Sequence, residues 1–267
     1  MNAPIRFSGF VRKGLKFREK FEKTKRLLQP QAFSWYPYDC FANLFFVQRL
    51  LNDAGLSLEN VIGPEPVLDL GAADGALSFF LESLGHEIHA CDYFGTNINR
   101  MQGIRTIAAE LGSKIKIHDI DIDGRFDLPG EYGAALFLGT LYHVKNPFYV
   151  LEVLSRHTQF CFLSTRVARL GADKAVRLDG MPVAYLLEPD ECNSDVTNYW
   201  IFSPAGLRLL VQRAGWTIRA QANSGASESD PVTPEGDERM FLLLESAGAR
   251  PPASNRGAPT KAIPQIG

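Results

Sequence analysis

The stretch Val67-Leu68-Asp69-Leu70-Gly71-Ala72-Ala73-Asp74-Gly75 constrains this chain more than any other. Its apolar run is too short for a helix and ends in Gly-x-x-x-Gly, after which helical apolar spacing begins with Leu77, Phe80, Leu81 and Leu84. That pattern predicts a buried strand, a tight turn of small residues and the first turn of a helix. Glycine lets backbone turn with positive φ and approach a ligand closely, and a helix N-terminus offers unpaired N–H donors. The stretch reads as a nucleotide loop.

Two nucleotide patterns compete for it. The dinucleotide fingerprint G-x-G-x-x-G fails, because Ala73 and Ala76 stand at its second and third glycine positions. The alternative, Asp-x-Gly-x-x-x-Gly, is met by Asp69, Gly71 and Gly75. Glu87-Ile88-His89-Ala90-Cys91 then runs into Asp92, 17 residues after Gly75. One helix, one turn and one strand span that distance, which puts Asp92 at the tip of the neighbouring strand, facing a ribose. On these residues the chain resembles the class I S-adenosylmethionine-dependent methyltransferases. The resemblance implies that the loop through Gly71, Ala72, Ala73 and Gly75 passes under the amino-acid end of S-adenosylmethionine, and that Asp92 binds the ribose hydroxyls. Asp69, Tyr93, Leu138 and Gly139 complete the implied cofactor set at the tips of the first, second and fourth strands. Ala73 departs from the family's usual middle glycine.

Strands are expected at 66–70, 87–92, 114–118, 134–138, 160–165, 216–222 and 239–245, and helices at about 42–54, 75–84, 96–111, 147–156 and 204–214. Alternation of strand and helix implies a mostly parallel sheet with right-handed crossovers. The expectation is an α/β, Rossmann-like fold with seven strands and helices on both faces. An N-terminal helical extension or lid is expected over 1–60 and the cofactor domain over 61–246. The connection 166–203, too long for a plain turn, reads as an insertion over the cleft. Residues 223–238 read as a polar loop. Residues 247–267, rich in Pro, Ala and Gly, cannot bury enough apolar surface to offset ordering and read as a disordered tail.

The third strand ends at Asp119-Ile120-Asp121, where the family resemblance implies an acid and backbone N–H reading adenine: Asp119 with Ile120 first, Asp121 second. The fourth runs into Leu141-Tyr142-His143 and then Asn146-Pro147. That segment resembles the family's fourth-strand segment, whose tip faces the transferable methyl group. Open α/β sheets bind ligands at the carboxyl ends of their strands, so two segments point to one cleft. In-line methyl transfer depends chiefly on positioning. For a hydroxyl acceptor a base helps, and His143 is the best placed histidine, with Tyr142 orienting the acceptor.

Ahead of the first strand, Phe33-Ser34-Trp35-Tyr36-Pro37-Tyr38 is dense in aromatics, and Trp35, Tyr36 and Tyr38 suit a pocket wall. Arg166, Tyr199 and Trp200 in the insertion are further candidate acceptor residues. Trp35-Tyr36-Pro37, Leu141-Tyr142-His143 and Asn198-Tyr199-Trp200-Ile201-Phe202-Ser203-Pro204 resemble one branch of the family, proteins related to tRNA wobble-uridine methyltransferases. Three acceptor readings remain open: a small hydroxyl- or amine-bearing molecule, a tRNA, or no acceptor at all in a catalytically idle binding module.

Charge bears on that choice. Residues 1–28 carry nine Lys and Arg against Glu19 and Glu22, a net of +7, and the remainder therefore carries −9. Phe10, Phe17, Phe21 and Leu28 lie on one stripe of that segment, which predicts an amphipathic basic helix. It reads as a lid, a nucleic-acid contact, a membrane-surface segment or a plain capping helix. No apolar run approaches the ~18 residues of a membrane helix, and Lys and Arg interrupt the N-terminus throughout, unlike a secretory signal. Cys40, Cys91, Cys161 and Cys192 form no C-x-x-C pair and read as reduced thiols of a cytoplasmic protein. No metal is expected: His86 and His89 miss the zincin spacing, and Asp119, Asp121 and Asp123 lack the closing glutamate of a calcium loop.

Overall fold

The computed structural model describes residues 8–28, 32–193 and 195–248, apart from the Glu235 side chain. Arg6 and the tail from 249 onward lie outside the described residues. The first strand, β1 (Val67–Leu70), is buried at every position. It lies between β2 (Ile88–Asp92) and β4 (Tyr132–Leu138), parallel to both, and β3 (Lys116–Asp119) extends the sheet beyond β2. On the other side β4 pairs in parallel with β5 (Thr158–Val167), and β9 (Glu238–Ser246) runs antiparallel between β5 and β8 (Trp216–Gly225).

Because side chains alternate across a strand, the sheet supports a core on each face. Val67, Ala134, Leu136, Phe160, Phe162, Phe241 and Leu243 face one core, completed by α1 (Gly9–Leu28), α2 (Asn43–Ala54), α4 (Ala76–Ser83) and α5 (Gln102–Leu111). Leu68, Leu70, Ala135, Phe137, Cys161, Leu163 and Leu242 face the other, under α6 (Pro147–His157) and α7 (Pro204–Arg213). Proline opens both of the latter helices, and the Asn146 and Ser203 side chains cap them.

All seven expected strands form, and two more come from the insertion: β6 (Ala184–Leu186) and β7 (Trp200–Phe202) pair antiparallel, and β7 meets the end of β5 at Val167. Among the described residues the sheet therefore has nine strands. The short α3 (Leu58–Ile62) was not expected; a capping box between Ser57 and Asn60 holds it. The helix expected over 96–111 begins only at Gln102. Arg100 and Met101 have φ of +54° and +59°, and the Asn97 side chain accepts from the N–H groups of Asn99 and Met101, closing a turn where a helix was expected. The expected polar loop 223–238 is shorter, since β8 runs to Gly225 and β9 starts at Glu238.

The N-terminal stripe folds as the expected helix and joins the core. Phe10 and Phe17 pack on Phe80 at ring separations of 5.5 and 5.9 Å, and Phe21 packs on Phe41 at 5.8 Å. The helices α1 and α2 approach so closely at Gly14 that a Cβ there would lie 2.1 Å from Leu44 Cδ1. Phe46 of α2 stacks on Phe241 of β9 at 4.0 Å.

Candidate functional site

The loop after β1 folds back on β2. Gly71 and Ala72 both donate to the Cys91 carbonyl, at 2.8 and 3.2 Å. Gly71, Ala73 and Gly75 all have positive φ, at +82°, +51° and +79°. Glycine at position 71 has a second cause, because its Cβ would meet Thr140 Oγ1 at 2.2 Å. The loop and the turn after β4 thus touch at Gly71 and Thr140. Ala73, in a conformation that alanine disfavours, is held by its N–H donating to Asp92 Oδ2 at 2.7 Å.

Asp92 ends β2, and its other oxygen accepts from Tyr93 N–H at 2.8 Å. The neighbouring tip is clipped to it: Ile120 N–H donates to the Asp92 carbonyl at 2.8 Å, and Asp119 Oδ1 accepts from Phe94 N–H at 2.9 Å. Asp92, Tyr93, Asp119 and Ile120 therefore share one edge. Asp121 sits just beyond, exposed, capping Asp123 N–H. Asp69 is buried within β1, where it accepts from Ser78 Oγ of α4 at 2.6 Å. Burial pushes its carboxyl up to about 6, against the Ser78 bond. Its contacts are internal to the fold.

Leu138 ends β4, and Gly139 (φ +78°) donates to the Ser164 carbonyl. A 3₁₀ turn then carries Leu141–His143, with the Tyr142 and His143 rings 4.1 Å apart. The Arg239 guanidinium of β9 lies 5.5 Å from the Tyr142 ring centre and donates to its hydroxyl at 3.4 Å. Tyr36 reaches the same group from the N-terminal side: its phenol is pushed upward by burial and then by Cys40, Tyr142 and Tyr38, and Arg239 opposes the rise. Tyr38, at the rim, packs edge-on to Tyr36 at 5.4 Å.

The insertion closes on this turn. Tyr199 N–H donates to the Tyr142 carbonyl at 2.8 Å, and Trp200 Nε1 donates to the Lys145 carbonyl at 3.2 Å. His143 Nδ1 lies 2.9 Å from Thr197 Oγ1, which donates in turn to Asp195 Oδ1 at 2.6 Å. Burial holds the His143 pKa below its ordinary value, outweighing the attraction of Asp195.

Two expected acceptor residues lie elsewhere. Trp35 packs edge-on to Phe33 at 5.0 Å and sits beneath the Lys25 ammonium at 5.3 Å, within the α1 core. Arg166 is buried, with its guanidinium engaged by Cys192 Sγ, the carbonyls of Asp230 and Thr233, and Asp237 Oδ1. Tyr36, Tyr38, Tyr142 and His143 are the ones brought together, with Tyr199 tied to them through its backbone N–H, whereas the Trp200 ring packs against the second core. Sequence reasoning missed Arg239, Thr197, Asp195 and the buried pair Lys25–Asp74. Of these only Lys25 carried a signal, since it lies four residues after Phe21 on the apolar stripe. Among the described residues no group of three or more His, Cys, Asp or Glu is placed to hold a metal ion.

A family model described as "Tellurite resistance protein TehB" matches residues 39–143, less than half of the chain. No curated protein matches the sequence. Among solved structures, the N-terminal domain of EvdMO1 in the presence of SAH and D-fucose is similar with a TM-score of 0.56 and 18% identity, over 86% of this chain and 96% of that one. The PH0226 protein of Pyrococcus horikoshii OT3 is similar with a TM-score of 0.56 and 14% identity, over 84% and 98%. TehB from Haemophilus influenzae has a TM-score of 0.50 and 14% identity, over 85% of this chain and 67% of that one. The fold is the mixed α/β, Rossmann-like class I methyltransferase fold.

Proposed function

We propose that this protein binds S-adenosylmethionine across the 71–75 loop and Asp92 and transfers its methyl group to a hydroxyl or amine of a small molecule. The observation that carries the reading is the contact between Gly71 and Thr140, which sets the nucleotide loop directly against the turn bearing Tyr142 and His143. Each Asp92 oxygen accepts one backbone N–H and keeps acceptor capacity for a ribose hydroxyl. Ile120 and Asp119 lie on the same edge, toward the adenine, and Asp121 is the second choice there. When bound, the sulfonium supplies a methyl carbon whose bonding electrons leave with sulfur.

The chain's own residues hold the acceptor and take its proton. Tyr36, Tyr142, Tyr199 and Arg239 form the wall. His143, kept neutral near pH 7 by its lowered pKa, takes the proton of an acceptor O–H as the oxygen's electron pair forms the bond to the methyl carbon; an amine attacks with its own lone pair and then gives His143 the proton of the ammonium so formed. The N-terminal segment and the 197–200 segment cover this side, which favours a small acceptor.

One observation favours a second reading. Arg12, Lys13, Lys16, Lys20 and Lys23 are exposed along α1, a surface that suits a tRNA acceptor. Two measurements decide. S-adenosylhomocysteine is expected to raise the melting temperature and NAD to leave it unchanged, since only a ligand of the native state stabilises it; the reverse overturns the cofactor assignment. With labelled donor, methyl transfer into small molecules of an RNA-free extract is the expected result, and label found only in tRNA overturns the small-molecule reading.

A further inference from the structure

We propose that Thr197 and Asp195 are positioning residues that lock His143 in the tautomer carrying its proton on Nδ1, so that Nε2 presents the lone pair that takes the acceptor's proton. The proposal rests on the reading of His143 as a base, and the hydrogen-bond directions carry it. A carboxylate only accepts, so the 2.6 Å contact between Thr197 Oγ1 and Asp195 Oδ1 uses the one hydroxyl proton. The Thr197 oxygen is then left only as an acceptor toward His143 Nδ1 at 2.9 Å. The Thr197 carbonyl, 3.3 Å from the same nitrogen, also only accepts. Both partners therefore demand Nδ1–H.

Asp195 is itself fixed, because Oδ1 also accepts Thr197 N–H at 2.9 Å. Among the described residues Nε2 of His143 has no hydrogen-bond partner. A neutral imidazole places its proton according to the bond the other nitrogen makes. Here that bond comes from the insertion, 54 residues away in sequence. The 166–203 connection thus completes the base as well as covering the cleft. The other groups that act on the imidazole are Asp195, which favours its charged form, Arg239, which opposes it, and Tyr142, whose ring lies tilted beside it at 4.1 Å.

The test needs no acceptor. In protein labelled with ¹⁵N-histidine, two-bond ¹H–¹⁵N spectra read the tautomer and titration of each ring. Neutral His143 is expected as Nδ1–H. Thr197→Val leaves only the weaker carbonyl contact at 3.3 Å and is expected to shift it to a mixture, and Thr197→Ser to restore the wild-type signature. Asp195→Ala is expected to release the tautomer and to lower the His143 pKa. Asp195→Ala also serves if Thr197→Val fails to fold, and a melting curve recorded for each variant shows that the fold persists. Wild-type His143 found as Nε2–H, or a signature unmoved by both Thr197→Val and Asp195→Ala, overturns the proposal. An intact Nδ1–H signature together with full turnover in His143→Gln would instead remove the base while leaving the tautomer lock standing.

Discussion

The Lys25 ammonium lies 3.1 Å from Asp74 Oδ2, with the two side chains only 10% and 3% exposed. The same carboxylate accepts Tyr36 N–H at 2.7 Å and Asn99 Nδ2 at 2.7 Å, and Lys25 also donates to the Tyr36 carbonyl at 3.2 Å. One buried pair thus ties α1, the aromatic segment, the nucleotide loop and the entry to α5. Removing one partner of a buried pair leaves the other charge uncompensated, at a cost of roughly 3 kcal/mol. Lys25→Met is therefore expected to lower the melting temperature by about 6–12 °C. In a thermal double-mutant cycle, Lys25→Met with Asp74→Asn should lose less than the sum of the single losses, and strict additivity would refute the coupling.

Gly71→Ala is expected to destabilise by at least about 2 kcal/mol, because φ is +82° and the new methyl meets Thr140. Adding Thr140→Ala removes the clash but not the backbone strain, so it should recover only part of the loss in urea denaturation. Full recovery would mean that φ carries no cost there.

Asp92→Ala removes the acceptor for the Ala73 and Tyr93 N–H groups and the proposed ribose ligand. Charge-assisted bonds of this kind are worth about 1.5–3 kcal/mol, so affinity for S-adenosylhomocysteine should fall on the order of 10- to 100-fold by calorimetric titration. Unchanged affinity would take Asp92 out of the site.

Asp69 sets a pH dependence. Its folded carboxyl titrates near 6 and its unfolded one near 3.8, so the folded state holds the proton more tightly. Its contribution to stability is complete below pH about 4 and is lost as pH rises through about 6. Asp69→Asn keeps an acceptor for Ser78 and removes that titration. Relative to wild type, the variant should gain stability between pH 4.5 and pH 7.5, on the order of 2 kcal/mol by chemical denaturation. A gap that stays constant with pH would contradict the buried-carboxyl account.

Arg166→Met tests whether this guanidinium is structural. Losing the guanidinium takes one partner from Asp237, which keeps Arg239, and one from the Thr233 carbonyl, which keeps Gly236 N–H, and strips the Asp230 carbonyl; the melting temperature should drop by several degrees while affinity for S-adenosylhomocysteine stays unchanged. A stable variant with impaired methyl transfer would return Arg166 to the acceptor site.

Much of this molecule was legible in the sequence because its signals are local. The run Val67–Leu70, the positive-φ glycines and the helical spacing from Leu77 each depend on a few neighbouring residues, and all seven expected strands formed. The late start of α5 escaped because Asn97 captures backbone N–H groups that a helix would otherwise use. The aromatic segment was read as one pocket wall, and the structure separates its rings: Trp35 packs against the core under Lys25, while Tyr36 interacts electrostatically with Tyr142 and Arg239. Nothing in a one-dimensional pattern distinguishes those two orientations.

By itself, the sequence determined the strand–turn–helix loop, the acid at the tip of β2 and the Tyr142–His143 turn, because period, backbone sign and residue type act over short range. Only the tertiary structure decided which side chains complete the site. Arg239 arrives from an antiparallel strand inserted beside β5, Thr197 and Asp195 from a connection folded back over β4, and Lys25 from a helix more than 40 residues ahead of the loop it pins. Such pairings follow from the burial of charges and the satisfaction of hydrogen bonds across the whole fold, which no local pattern encodes.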